Sequence, residues 1–113
     1  MEISRKNISL FVFKEEDKGS AEMVVIYNKR GYYGIIENVF VEPEYRGQGI
    51  ARKLINEIKA LAVTLDLYKI VLTCSEKLIS FYYNQGFEWQ DDGQGYCMRI
   101  DMGGTDELRT IKK

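Results

Sequence analysis

The length, composition and charge of the chain exclude several classes of protein. Its 113 residues suit a single domain, and a hydrophobic fraction of 45% with 12% aromatic residues is typical of a chain that folds. Sixteen basic and 17 acidic residues give a net charge of -1, so no overall positive field attracts nucleic acid or an anionic membrane. Because histidine is absent, imidazole-based catalytic triads and nearly all catalytic zinc sites are excluded, and we expect no metal.

Cysteine usage and hydropathy favour an intracellular protein. Cys74 and Cys97 are too few for a disulfide scaffold and lack neighbours at metal-ligand spacing, so we interpret both as reduced thiols. No stretch approaches the roughly 18 apolar residues that a membrane-spanning helix needs. We therefore expect a cytoplasmic protein that binds neither nucleic acid nor a membrane.

The N-terminal part of the chain predicts an antiparallel hairpin. Residues 7–13 alternate as a half-buried strand requires, with Ile8, Leu10 and Val12 as the apolar face. A second apolar run over residues 21–28 follows a polar turn and predicts the partner strand.

The run from Tyr33 to Val41 predicts the central strand of the sheet. It is almost continuously apolar, which is typical of a strand that is covered on both faces. Glu37 and Asn38 interrupt the run, and polar side chains in such a position need an explanation. Pro43 ends the strand.

The middle of the chain predicts a β-α-β unit. Apolar residues recur at helical spacing from Gly49 to about Thr64, which predicts a helix with the stripe Ile50, Leu54, Ile58, Leu61 and Leu65. The short apolar segment from Tyr68 to Thr73 then predicts a strand. A right-handed crossover would place this strand parallel to the central one.

The remaining segments complete the predicted fold. A second helix is expected over residues 75–85, followed by a strand pair over 87–89 and 96–102 that flanks a turn at 91–95. The whole order predicts an α/β (α+β) fold with a mixed, mostly antiparallel sheet and one parallel crossover. We expect a single domain over residues 1–102 and a polar, frayed tail over 103–113.

A glycine-rich turn joins the central strand to the first predicted helix. It reads Arg46-Gly47-Gln48-Gly49-Ile50-Ala51, and its glycines let the backbone approach a ligand without an intervening side chain. The free N–H groups of the first helical turn, the positive end of the helix dipole and the guanidinium group favour an anion such as phosphate. When the turn is considered alone, a packing role for the glycines is an equally good interpretation.

The turn resembles the R/Q-x-x-G-x-G/A signature of the GNAT superfamily of acetyl-CoA-dependent N-acetyltransferases, with Arg46, Gly49 and Ala51 at its defining positions. The segment from Phe81 to Phe87 is similar to the F-Y-x-x-x-G-F segment of the same family. The two motifs stand in the correct order, and the resemblance covers roughly residues 33–101. It implies a GNAT fold and acetyl-CoA as cosubstrate.

Within that superfamily the chain is most similar to glucosamine 6-phosphate N-acetyltransferases. Residues 34–38 and 68–76 resemble the G-x-I-E-D and Y-K-I-x-L-D-C-x-E segments of those enzymes. Asn38 and Thr73 stand where those enzymes have Asp, and Leu78 stands where they have Asn. The resemblance therefore implies the reaction, whereas these three positions depart from the residues that accompany an amino sugar phosphate as acceptor.

The family usually has a strand and two helices before the hairpin, and these elements help to wall the acceptor site. Here the hairpin begins at about residue 7. Three consequences stay open: a pocket that admits a large acceptor, a pocket completed by another chain, or loss of acceptor catalysis. An exposed edge at the first strand leaves room for a homodimer.

The resemblance assigns the acetyl-CoA contacts mainly to main-chain groups. In the family the central strand parts from its parallel neighbour, and the pantetheine arm pairs with the exposed backbone in the gap. Here that role falls to Val39, Phe40 and Val41. The resemblance assigns the contacts with the pyrophosphate to the residues of the turn, which are Arg46, Gly47, Gln48, Gly49, Ile50 and Ala51.

The resemblance also implies a general base and a general acid. Glu37 stands where the family often has the group that deprotonates the amine, and Tyr82 stands where it has the tyrosine that protonates the departing thiolate. The alternatives are an exposed charge for Glu37 and aromatic packing for Tyr82. Direct transfer, as in the family, gives Cys74 no covalent role.

Three functions remain open at this point. The first is an acetyltransferase for a small-molecule amine such as an amino sugar or its phosphate. The second is an acetyltransferase for a peptide or protein amine, and the third is a non-catalytic module that binds CoA.

Overall fold

Residues 1–90 and 97–105 are described by the computed structural model, and within them the strands form one sheet. Its strand order is β1-β2-β3-β4-β6-β5. The pair β3 and β4 is parallel and the other neighbours are antiparallel, which confirms the predicted mixed sheet with a single crossover. The strands are β1 (Ser9–Glu15), β2 (Gly19–Asn28), β3 (Gly31–Val41), β4 (Lys69–Thr73), β5 (Glu88–Gln90) and β6 (Cys97–Asp101).

Two α-helices accompany the sheet in the described residues. Helix α1 (Ile50–Thr64) follows β3 and ends where the spacing of apolar residues predicts. The second predicted helix is shorter than expected, because Glu76–Leu78 form a 3₁₀ turn and only Ile79–Asn84 form helix α2. A further 3₁₀ turn, Pro43–Tyr45, lies between β3 and α1.

The hydrophobic core lies on one face of the sheet. Ile55 and Ile58 of α1 are fully buried against Met23 of β2 and Ile70 of β4 in a single cluster. Tyr82 of α2 belongs to the same cluster. Both helices therefore cover the same face of the sheet, and we call the opposite face the open face.

The prediction of which face of the first strand is buried is wrong. Ile8, Leu10 and Val12 are 59%, 54% and 55% exposed, whereas Phe11 and Phe13 are partly buried against the core. Both faces of β1 are apolar, so the alternation does not say which of them turns inward. The two phenylalanine side chains bury more apolar area, and they take the helix side.

The prediction that the central strand is covered on both faces is also wrong. In β3, Glu37, Asn38 and Phe40 are exposed, while Ile36 is only 4% exposed. The open face includes Val24 and Glu37, and no described helix lies over it. The polar residues of β3 are thus tolerated because they do not enter the core.

The C-terminal residues that are described are bound to the domain rather than frayed. The backbone N–H and the hydroxyl of Thr105 donate to the Asp66 carboxylate at 3.2 and 2.6 Å. The predicted turn at 91–95 and residues 106–113 of the predicted tail lie outside the described residues. Among the residues that are described, no helix combines the length and the apolar character needed to cross a bilayer.

Candidate functional site

The parallel strands β3 and β4 separate soon after they meet. Their aligned positions are Gly34 with Ile70 and Ile35 with Val71, and each strand then continues without its neighbour, β3 to Val41 and β4 to Thr73. The inner edge of β3 beyond Ile35 therefore presents backbone groups that the β4 ladder does not use. Such an unpaired edge can bind an extended molecule through main-chain hydrogen bonds.

A β-bulge helps β3 to diverge from β4. Glu22 lies opposite Glu37 and Ser20 lies opposite Phe40, so β3 contributes one residue more than β2 between these two positions. Asn38, within this interval, has a φ of 53°, in the left-handed region. A bulge bends its strand and increases the local twist, which directs the end of β3 away from β4.

The turn after β3 is fixed by arginine and by two glycines. The Nε atom of Arg46 donates to the carbonyl oxygen of Val41 at 2.9 Å, and its guanidinium lies 5.7 Å from the ring centroid of Phe40. Gly47 and Gly49 have φ values of 79° and 82°, which L side chains rarely adopt. The glycines are therefore needed for the conformation of the turn, as well as for letting a ligand approach the backbone.

The N-terminus of α1 is well suited to an anion. Its first N–H groups have no partner within the helix, and the first turn contains no acidic side chain. A Cβ atom on Gly47 would meet no atom within 4 Å, so the space beside this backbone is open. A Cβ atom on Gly49 would lie 3.5 Å from Nη2 of Arg52, which brings a second guanidinium to the same turn.

A cavity of about 570 Å³ extends from this turn towards α2, which is the size of a typical small-molecule site. Of the residues predicted to hold acetyl-CoA, those that line it are Val39, Phe40, Val41, Arg46, Gly47, Gly49, Ile50 and Ala51. Gln48 does not line the cavity, and its side-chain amide is 3.5 Å from the carbonyl oxygen of Glu44.

Tyr82 lines the same cavity from α2 and is only 5% exposed. Its ring packs edge-to-face on Phe81 and Phe87, with centroid distances of 4.9 and 5.8 Å. Burial, and secondarily the neighbouring Cys74, raise the pKa of the Tyr82 phenol above its usual value. Burial likewise raises the pKa of the Cys74 thiol, so both groups are protonated at neutral pH.

Glu37 does not line the cavity. Its side chain is exposed on the open face, and it lies directly opposite Glu22 of β2. Tyr82, by contrast, belongs to the core on the helix side of the sheet. The two residues predicted as base and acid therefore approach the gap between β3 and β4 from opposite faces.

Sequence reasoning missed several residues of the cavity. The structure adds Tyr45, Arg52, Leu78 and Phe81 to its lining. The sequence did contain a signal for Arg52, because a basic residue in the first turn of the helix supports an anion site by the same reasoning as Arg46. No feature of the sequence indicated that Leu78 lines the cavity, since only the packing of the segment after β4 brings it there.

Comparison with known proteins places this geometry in a family. A family model described as an acetyltransferase (GNAT) domain matches residues 6–89. A glucosamine 6-phosphate N-acetyltransferase from Trypanosoma brucei brucei is 41% identical over 69 residues, which cover 61% of this chain and 44% of that protein. A probable glucosamine 6-phosphate N-acetyltransferase from Drosophila melanogaster is 32% identical over 96 residues, covering 81% and 44%. The chain thus spans less than half the length of these relatives.

The fold is shared with solved structures. One of them is the N-acetyltransferase PaiA from Thermoplasma acidophilum in complex with coenzyme A, with a TM-score of 0.63 and 23% identity. The superposition covers 74% of this chain and 53% of that one. Because the family model matches well over half of the sequence, the chain belongs to the acetyltransferase (GNAT) domain family.

Proposed function

We propose that the protein is an N-acetyltransferase that moves an acetyl group from acetyl-CoA to a primary amine by direct attack. The observation that carries the proposal is the cavity in which an unpaired stretch of β3, the arginine–glycine turn, the N-terminus of α1 and Tyr82 meet. The names of the relatives, all acetyltransferases, support the same reaction. The two free thiols favour the cytoplasm as its location.

The residues around the cavity fit the parts of acetyl-CoA. The backbone of Val39, Phe40 and Val41 would hold the pantetheine arm as an additional strand would be held. The amides from Gly47 to Ala51, with Arg46 and Arg52, would hold the pyrophosphate, because hydrogen bonds from charged donors to phosphate oxygens are strong. Gln48 would contribute its backbone amide only.

Glu37 is proposed as the general base. A free alkylamine has a pKa of about 10.4 and is almost fully protonated at neutral pH, so a proton must leave before the nitrogen can attack the thioester carbonyl. Glu37 accepts this proton directly or through one water molecule, on the exposed side of the gap. The amine nitrogen then forms the new bond to the carbonyl carbon.

Tyr82 is proposed as the general acid. When the C–S bond breaks, the electron pair remains on the sulfur, and the Tyr82 hydroxyl supplies the proton that makes it a thiol. A pKa raised by burial keeps this hydroxyl protonated at neutral pH, so the donor is in the correct state before the reaction. The raised pKa of the Cys74 thiol leaves little thiolate, which favours direct transfer over an acetyl-cysteine intermediate.

The acceptor is proposed to be an amino sugar or its phosphate, as the names of the relatives indicate. Asn38, Thr73 and Leu78 depart from the residues of those enzymes, so the free amino sugar is included beside its phosphate. A second candidate is a peptide or protein amine, because Glu37 faces an uncovered sheet surface that admits a chain. A non-catalytic CoA-binding module is the third.

The reaction is tested by release of free thiol from acetyl-CoA in the presence of amines, amino sugars, amino sugar phosphates and lysine peptides. We expect release with an amino sugar or its phosphate. Release with peptides alone would move the acceptor to the second candidate. Thermal stabilisation by CoA without release on any acceptor would establish the binding module and overturn the enzymatic proposal.

The turn is tested by Gly49→Val. We expect acetyl-CoA affinity to fall about 10- to 100-fold, because hydrogen bonds to charged groups are worth about 1.5–3 kcal/mol and the substitution displaces the amides that make them. Gly103→Val is the matched control, since Gly103 also has a positive φ, of 74°, but lies outside the cavity. Calorimetry gives the affinities, and equal affinities for the two variants would contradict the assignment.

The base is tested by Glu37→Gln. At pH 7 we expect kcat to fall about 10²- to 10⁴-fold, the usual contribution of general base catalysis. The loss should shrink as the pH rises towards about 10.4, where the free amine deprotonates without help. Glu22→Gln removes the same charge from the directly opposite position and should retain most of kcat. A constant ratio between wild type and Glu37→Gln at every pH would remove Glu37 from the mechanism.

The acid is tested by Tyr82→Phe, which keeps the ring packing. We expect kcat to fall about 10²- to 10⁴-fold while acetyl-CoA affinity is retained. Because the pKa of Tyr82 is raised, the wild-type rate should decline only when the pH exceeds the ordinary phenol value of about 10, and this decline should be absent from the variant. The control is Tyr83→Phe, at a neighbouring side chain that is 67% exposed. Equal turnover of the two variants would contradict the assignment of Tyr82 as the general acid and would leave only its role in packing.

A further inference from the structure

The bulge in β3 contains an asparagine in a conformation that few side chains adopt. Opposite the single residue Ala21 of β2, β3 has two residues, Asn38 and Val39. Asn38 has a φ of 53°, and a left-handed residue at the first position of such a bulge is usually glycine. Asparagine is enriched in this region among the other residues, yet the conformation persists only where neighbouring contacts fix it.

The side chain of Asn38 is held by Glu22 of β2. Its Nδ2 atom donates a hydrogen bond to Oε1 of Glu22, and a charged acceptor makes such a bond stronger than one between neutral groups. Glu22 is half-buried and forms no ion pair with the described lysines and arginines. The contact thus joins β2 and β3 at the place where the bulge interrupts their ladder.

The conformation of Asn38 sets the direction of the residues on both sides of it. Glu37, the proposed base, precedes it, and Val39, whose backbone is proposed to hold the pantetheine arm, follows it. Val39 lines the cavity, whereas Asn38 itself does not. Because the φ and ψ angles of Asn38 lie between these two residues, a change in either angle would turn Glu37 relative to the cavity.

We propose that Asn38 is a positioning residue for acetyl transfer, and that the Glu22 carboxylate holds it in place. The inference rests on the proposed function, since the groups that Asn38 positions are the base and the strand that binds acetyl-CoA. In that reaction Asn38 contacts neither the thioester nor the amine, and it acts through the backbone of β3. A displacement of about 1 Å in such an arrangement is enough to lower a rate about 100-fold.

The donor and the acceptor of this pair are matched. An ionised aspartate at position 38 has no hydrogen to donate, so Asn38→Asp would place a second carboxylate against Glu22. Two like charges in contact repel each other, and the left-handed conformation would lose the contact that fixes it. Glu22→Gln, by contrast, keeps a side-chain oxygen that accepts from Asn38, which agrees with its small expected effect on kcat.

The pair is tested by exchanging its donor and its acceptor in the full chain. We expect Asn38→Asp to lower kcat about 10- to 100-fold. The double variant Glu22→Gln/Asn38→Asp has an amide at position 22 that donates to a carboxylate at position 38, and its net charge equals that of the wild type. Its kcat should return to within about threefold of the Glu22→Gln value, because the loss requires two facing carboxylates.

Acetyl-CoA binding separates positioning from a loss of folded protein. These substitutions leave the turn that holds the pyrophosphate unchanged, so calorimetry should show full stoichiometry and an affinity that falls far less than kcat. A fall in kcat without a matching loss of affinity indicates an interaction that is needed in the transition state. Asn7→Asp, the same substitution at an exposed residue outside the cavity, is the control and should leave kcat unchanged.

The contact itself is measured without acetyl-CoA. Hydrogen bonding to a carboxylate deshields amide protons, so the Nδ2 protons of Asn38 should move upfield in the NMR spectrum of Glu22→Ala. Glu57→Ala, at an exposed position of α1, is the control and should leave these resonances in place. Unshifted resonances in Glu22→Ala would contradict the contact and with it the proposal.

Failure of this inference and failure of the proposed function give different results. If the wild type turns over and the double variant is as slow as Asn38→Asp, the inference is wrong and the proposed function stands. If Asn38→Asp lowers the affinity for acetyl-CoA and leaves kcat unchanged, Asn38 serves binding alone, and the inference is again wrong. If the wild type transfers acetyl to no acceptor, both are wrong.

Discussion

The candidate site depends on how early β3 parts from β4. Two parallel strands that paired to their ends would use the inner backbone of β3 and would leave no room between them. Here the alignment stops after Ile35 and Val71, the bulge around Asn38 turns β3 aside, and β4 ends at Thr73. One additional residue in one strand and an early end in its neighbour are thus sufficient to open a gap inside a sheet. The cavity and the turn at the start of α1 lie beside this gap because β3 leads directly into them.

The two sides of the gap have different environments. On the helix side Tyr82 lies among aromatic rings, where burial disfavours its charged form. On the open face the side chain of Glu37 is exposed to solvent. Pairs of titratable groups in contrasting environments are suited to opposite roles in proton transfer. In the proposed reaction, a substrate in the gap meets a neutral donor on one side and a carboxylate on the other, and the sheet keeps the two groups apart.

The sequence by itself determined the local conformations: the extent of α1, the positions of the strands and the glycine turn, whose residues other than Gln48 line the cavity. These features depend on neighbours within a few residues. The sequence shows them directly, either as the periodic spacing of apolar residues or as glycines, which permit a positive φ. Only the tertiary structure decided that Phe11 and Phe13 face the core instead of Leu10 and Val12. It also decided that Glu37 and Tyr82 lie on opposite sides of the sheet. A period of two is the same for both faces of a strand, so the choice depends on packing against residues that are distant in the chain.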